Sequence, residues 1–106
     1  MTTEDPKAIE QRAIDHYGRT HQLIKTTEEL GELARAIARL LTAPVADRPA
    51  HEALVDQLME EAADVEIMLD QIKLIYPDGA LRVAGWKAFK LARLDLRLSR
   101  EERGHD

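Results

Sequence analysis

Residues 54–75 read LVDQLMEEAADVEIMLDQIKLI, and this stretch decides the fold. Leu54, Leu58, Val65, Met68, Ile72 and Ile75 recur at steps of three and four around a position held by Glu61. Such a period places one apolar stripe along an α-helix and excludes the alternation of a half-buried strand. Glu61 points the same way as Leu58, Val65 and Met68. A lone carboxylate in an apolar stripe must become protonated, pair with a cation or bind a metal.

The helical reading extends to both sides. One helix is expected from Pro6, suited to a first turn, to Tyr17, with Gly18 ending it. A second runs from Thr20 to Thr42 and stops at Ala43-Pro44. Residues 43–50 form a connector. The third helix spans Pro49 to Ile75 and closes at the turn Tyr76-Pro77-Asp78-Gly79. A fourth runs from Ala80 to Arg100, with the tail to Asp106 expected to fray. No strand pattern of useful length, internal repeat or low-complexity tract interrupts this order. The second helix carries Leu23, Thr27, Leu30, Ala34, Ile37 and Leu41 at the same spacing, and this stripe is expected to face the core.

The 106 residues allow one domain with a modest core. Hydrophobic residues make up 44%, too many for a disordered chain, and aromatics only 4%, so leucine and alanine carry the apolar content and favour an all-α bundle. The absence of cysteine excludes disulfide frameworks, zinc–thiolate sites, iron–sulfur clusters and thiol nucleophiles. The net charge of −5 argues against nucleic acid as a partner. It is unevenly spread: residues 82–103 hold seven basic and three acidic side chains, a local +4, against −9 elsewhere. The start of the chain lacks the apolar run of a signal peptide, and no stretch approaches a membrane span. The cytoplasm is therefore the expected location, with no membrane partner.

The acids recur in pairs. Glu61 and Asp64 stand at i and i+3, and so do Glu29 and Glu32, with Glu28 just before them. Gly31, Ala62 and Ala63 are small and would let helices or a ligand come close. Four oxygen donors on two helices suit a hard cation such as Mg²⁺ or Mn²⁺. Two plainer readings stand beside this one. Glu28, Glu29 and Glu32 lie largely opposite the apolar stripe of their helix, as a solvated face would. Glu61 can equally be held in an ion pair with Lys25, Arg35 or Lys73. The fourth helix adds a basic series, Lys87, Lys90, Arg93, Arg97 and Arg100, beside Phe89, Leu91, Leu94 and Leu98. That series is either a solvated face or a set of phosphate contacts.

Glu28-Glu29-x-x-Glu32 followed, after 28 residues, by Glu61-x-x-Asp64 resembles the signature of the MazG-like all-α nucleoside triphosphate pyrophosphohydrolases. Their superfamily includes dimeric dUTPases, dCTP pyrophosphatases and phosphoribosyl-ATP pyrophosphohydrolase. Gln22-x-x-Lys25 before the acids and Lys90-Leu91-x-Arg93-Leu94 after them extend the likeness over residues 20–98. An asparagine common in that family before the late lysine is absent; Trp86 and Lys87 stand there.

The resemblance implies a four-helix bundle built on a long antiparallel hairpin. It implies Mg²⁺-dependent cleavage of a (deoxy)nucleoside triphosphate between the α- and β-phosphates, in nucleotide pool house-cleaning. By position, Glu29, Glu32, Glu61 and Asp64 would be metal ligands, and Glu28 would orient or deprotonate the attacking water. Lys90 and Arg93, with Lys25 or Lys73, would hold phosphates. A homodimer or homotetramer with sites completed between subunits is also implied.

Two rival classes remain. A carboxylate-bridged di-iron bundle wants two Glu-x-x-His motifs, and the chain offers Glu102-x-x-His105 in its tail alone. A non-catalytic helical interaction protein would keep the bundle without needing the acids. His16 and His21 are expected to be exposed and without a role, and Trp86 and Phe89 to belong to a core or an interface.

Overall fold

The computed structural model describes residues 5–44 and 47–104. They form four helices, α1 (Pro6–Tyr17), α2 (Arg19–Thr42), α3 (Arg48–Ile75) and α4 (Gly79–Gly104), with no strand among the described residues. The all-α expectation is borne out. Boundaries move by one residue at the starts of α2, α3 and α4. The larger correction is at the far end: residues 101–104, expected to fray, continue α4 to Gly104. Residues 45–46 of the connector, His105 of the Glu102-x-x-His105 spacing, and the last tail residue Asp106 lie outside the described residues.

The starts and stops have local causes. Asp5 accepts a hydrogen bond from the Ala8 amide at 2.8 Å, and Asp47 from the Ala50 amide at 2.7 Å, so each caps a helix whose first turn contains proline. Gly18 alone separates α1 from α2. It takes φ +91°, which side-chain-bearing residues rarely adopt, and donates its N–H to the Ile14 carbonyl. Between α3 and α4, Asp78 takes the left-handed conformation at φ 57°, tolerated by short polar residues.

The principal packing is between α2 and α3, with α1 against both and α4 touching α3. The α3 stripe behaves as expected: Val65 and Met68 are buried, and Leu54, Leu58, Glu61, Ile72 and Ile75 half-buried. The α2 stripe does not. The residues turned towards α3 are Gln22, Thr26, Glu29, Leu33, Ala36 and Leu40, each one position before the expected series. One residue is 100° of rotation, and it leaves Leu30, Ile37 and Leu41 exposed at 48%, 42% and 78%.

The physical reason lies across the helix pair. Gln22 donates from Nε2 to Oε1 of Gln71 at 2.7 Å, both residues being nearly inaccessible. Thr26 donates its hydroxyl to the Gln22 carbonyl at 2.8 Å. Polar residues that satisfy one another in this way can be buried. A Gln22→Leu change strands the Gln71 amide and is expected to cost about 1–3 kcal/mol in urea unfolding. Adding Gln71→Leu should recover most of that loss, because an apolar pair leaves no orphaned group.

A second buried polar contact ties α1 down. Glu10 is buried against Asp70 of α3, whose carboxylate lies 3.6 Å from Lys73 Nζ. Burial, and then the Asp70 carboxylate, push the Glu10 carboxyl above its ordinary range, while Lys73 pulls it down. The folded chain therefore holds the Glu10 proton more tightly than the unfolded chain. Stability from this group is greatest in acid and falls as pH rises from about 4.5 through the raised value. Glu10→Gln, which mimics the protonated form, is expected to raise the urea midpoint near neutral pH. It should also flatten the dependence on pH between weakly acidic and neutral buffers.

Candidate metal centre

The one-residue rotation of α2 has a chemical consequence. It carries Glu29 from the solvated face, where the hydropathy pattern places it, into the groove between α2 and α3. Its side chain is 15% exposed, against 62% for Glu28. Across the groove α3 presents Glu61 and Asp64, both half-buried. One carboxylate oxygen from each of Glu29, Glu61 and Asp64 lies within 4.8 Å of the other two. Antiparallel packing in the register held by Gln22 and Gln71 makes this meeting.

The electrostatics are those of crowded anions. The Glu61 carboxyl is pushed above its ordinary range, first by burial and then by the charges of Asp64, Glu32, Glu60 and Glu29. None of the three cations that could have neutralised Glu61 does so. Lys25 Nζ sits 3.2 Å from Glu29 and 3.6 Å from Glu28. Arg35 takes Glu32 at 3.3 Å, and Lys73 takes Asp70. Among the described residues no ion pair reaches Glu61 or Asp64. Lys25 is itself held protonated more firmly than usual, chiefly by its hydrogen bond and charge interaction with Glu29.

The donor set suits a hard divalent ion: oxygens only, from two helices, with no sulfur or nitrogen. Oxygens on opposite sides of a Mg²⁺ ion stand about 4.2 Å apart, twice a metal–oxygen distance of about 2.1 Å. Three ligands cannot all stand opposite one another, and oxygens on neighbouring corners are about 3.0 Å apart, so the carboxylates, separated by up to 4.8 Å, must draw together around an ion.

Of the residues nominated from sequence, Glu29, Glu61 and Asp64 are brought together. Glu32 is within electrostatic influence of Glu61, yet its carboxylate turns to Arg35. Glu28 lies outside the groove on Lys25. Lys90 and Arg93 are exposed on α4, and the Arg93 guanidinium lies 5.7 Å from the Phe89 ring centre. Among the described residues no ion pair joins either cation to the acids, and α4 makes no packing contact with α2. Gly31, expected to permit close approach, faces open space because the rotation of α2 turns it outward.

Some features were not anticipated. The polar layer of Gln22, Thr26 and Gln71 lies beside the acids, and its signal was present: 22, 26 and 29 form their own polar stripe at helical spacing. His16 and His21 are exposed as expected, although His21 stacks on Tyr17 with ring centres 4.9 Å apart and bonds from Nδ1 to Gln22 Oε1 at 2.7 Å. Trp86 and Phe89 are exposed, so they belong to no core of the single chain.

Fold and site together define an all-α chain with a three-carboxylate candidate metal centre in the groove of its long hairpin. Compared with known protein families, characterised proteins and solved structures, the chain matches none. No described helix is long and apolar enough to cross a membrane.

Proposed function

We propose that the chain is a Mg²⁺-dependent nucleotide pyrophosphohydrolase, with Mn²⁺ as an alternative ion, acting on a (deoxy)nucleoside triphosphate in the cytoplasm. The observation that carries this reading is Glu61, a half-buried carboxylate crowded by four other acids, Asp64, Glu32, Glu60 and Glu29, and paired with no cation among the described residues. The sequence resemblance supplies the reaction. Glu29, Glu61 and Asp64 would hold the ion, with Glu32 close by once released from Arg35. When bound, a divalent ion supplies charge neutralisation and polarisation at the phosphate oxygens.

The chain's own residues have distinct parts in this reading. Lys25, once released from Glu29, would contact a phosphate oxygen. Glu28 would orient the attacking water and accept the proton it gives up. The water oxygen bonds to the α-phosphorus, the bond from that phosphorus to the bridging oxygen breaks, and pyrophosphate leaves with that oxygen. Lys90 and Arg93 would neutralise the outer phosphates if an assembly brings α4 over the groove.

The test is a panel of NTPs and dNTPs with and without Mg²⁺, scored for monophosphate plus pyrophosphate. Orthophosphate as the first product rejects the proposed bond. Absence of turnover together with absence of Mg²⁺ or Mn²⁺ binding would leave the second reading, a non-catalytic helical assembly. The extensive exposed apolar surface is compatible with an assembly under either reading.

A further inference from the structure

Glu29 is claimed from two sides. On its own helix, Lys25 Nζ stands 3.2 Å from a Glu29 oxygen. Across the groove, Glu29 is one of the three carboxylates with oxygens within 4.8 Å of one another. Among the described residues Lys25 is the one cation in an ion pair with any member of that cluster; Arg35 and Lys73 pair with Glu32 and Asp70 instead. The pair is lopsided. The Lys25 side chain is 45% exposed and that of Glu29 15%. The ammonium can therefore swing out into water on its flexible stem while the carboxylate stays in the groove. Ion pairs at i and i+4 on one helix are weak, so little holds it back.

A divalent ion on the cluster and the ammonium on Glu29 oppose each other in two ways. Both need lone pairs of the same carboxylate, and both are positive. A lysine is charged at neutral pH. Even at the dielectric of water, a unit charge within about 6 Å of a divalent ion changes the affinity for that ion by roughly tenfold.

We propose that Lys25 is a displaceable counter-ion for the carboxylate cluster, one that disfavours a divalent ion arriving alone and favours an ion arriving with a phosphate-bearing anion. This rests on the metal-centre reading above and adds a coupling to it. An ion that takes Glu29 frees the ammonium, whose three N–H donors suit phosphate oxygens. An anion that draws the ammonium away leaves Glu29 to the ion. By linkage the two effects are equal in size, so each ligand strengthens the other by the same factor.

The variants Lys25→Met and Lys25→Arg test this without any turnover. Met keeps an apolar stem and the helix propensity and removes the charge, whereas Arg keeps the charge. Titrated with Mn²⁺ alone at low salt, Lys25→Met should bind roughly ten times more tightly than the wild type, and Lys25→Arg about as the wild type does. Added salt should shrink that gap. Titrated with inorganic tripolyphosphate at saturating Mg²⁺, Lys25→Met should bind roughly ten times more weakly than the wild type. Shifts of opposite sign for the two ligands mark a displaced counter-ion, because loss of a merely structural helix pair would weaken both or neither. Unchanged or weaker Mn²⁺ binding by a Lys25→Met chain that stays helical by circular dichroism overturns the proposal, and so does unchanged tripolyphosphate binding. Failure of the underlying centre looks different: neither the wild type nor Lys25→Met takes up Mn²⁺, which removes the centre and its counter-ion together.

Discussion

Glu61→Gln is expected to abolish Mg²⁺-dependent turnover, by at least about 100-fold, and to remove Mn²⁺ binding measured by calorimetry. The change keeps the shape of the side chain, replaces one accepting carboxylate oxygen by a donating amide nitrogen, and deletes one charge from the cluster. Without metal the variant should be at least as stable as the wild type, because Glu61 is held among Asp64, Glu32, Glu60 and Glu29 with its carboxyl raised above the ordinary range. The raised value means that the folded state binds this proton more tightly. The stability from Glu61 therefore falls as pH rises from about 4.5 through that value, and Gln removes the fall. With metal the order reverses. An ion that binds the folded wild type stabilises it by about 2.7 kcal/mol at one hundred times its dissociation constant, and the variant should show no such gain. A thermal melt with and without Mg²⁺ thus separates a metal ligand from a residue that merely supports the fold. Full activity in Glu61→Gln, or an equal thermal shift in both proteins, would remove Glu61 from the metal centre.

Gly79→Ala is expected to be the most damaging small substitution in the chain for stability. A methyl group at residue 79 would run into the backbone carbonyl of Lys73, at the close approach between the end of α3 and the start of α4. Backbone cannot step aside as a flexible side chain can. A cost of about 3 kcal/mol follows, taken from the upper end of overpacking effects. For a chain of this length that lowers the midpoint of a thermal melt by roughly 15 °C. The same substitution at Gly31 should have the opposite sign. Gly31 is exposed inside α2 with open space around it, so an alanine there should stabilise the helix by about 0.5–1 kcal/mol. Equal melting temperatures for the two variants would contradict the described turn.

The helices were legible because their punctuation is local. Gly18, Ala43-Pro44 and Tyr76-Pro77-Asp78-Gly79 act through φ preferences and missing donors that do not depend on distant contacts. Glu61 was legible for the same kind of reason, as an acid interrupting a seven-position stripe on one helix. Asp64 followed from its i+3 spacing. Glu29 was found as a candidate ligand only through its spacing and the family likeness, since hydropathy placed it on the wrong face.

What the amino-acid sequence determined alone is therefore the set of helices, their ends, and the acids that stand out of register on them. What only the tertiary structure decided is which face of α2 turns inward. Two stripes one residue apart share the same helical period, and hydropathy favours the one with more leucine. Burial went to the other, because Gln22 and Gln71 satisfy each other across the helix pair, and a polar group's cost depends on a partner that lies 49 residues away in the chain. That choice assembled the carboxylate cluster and left the leucine stripe outside, where one chain has nothing to cover it.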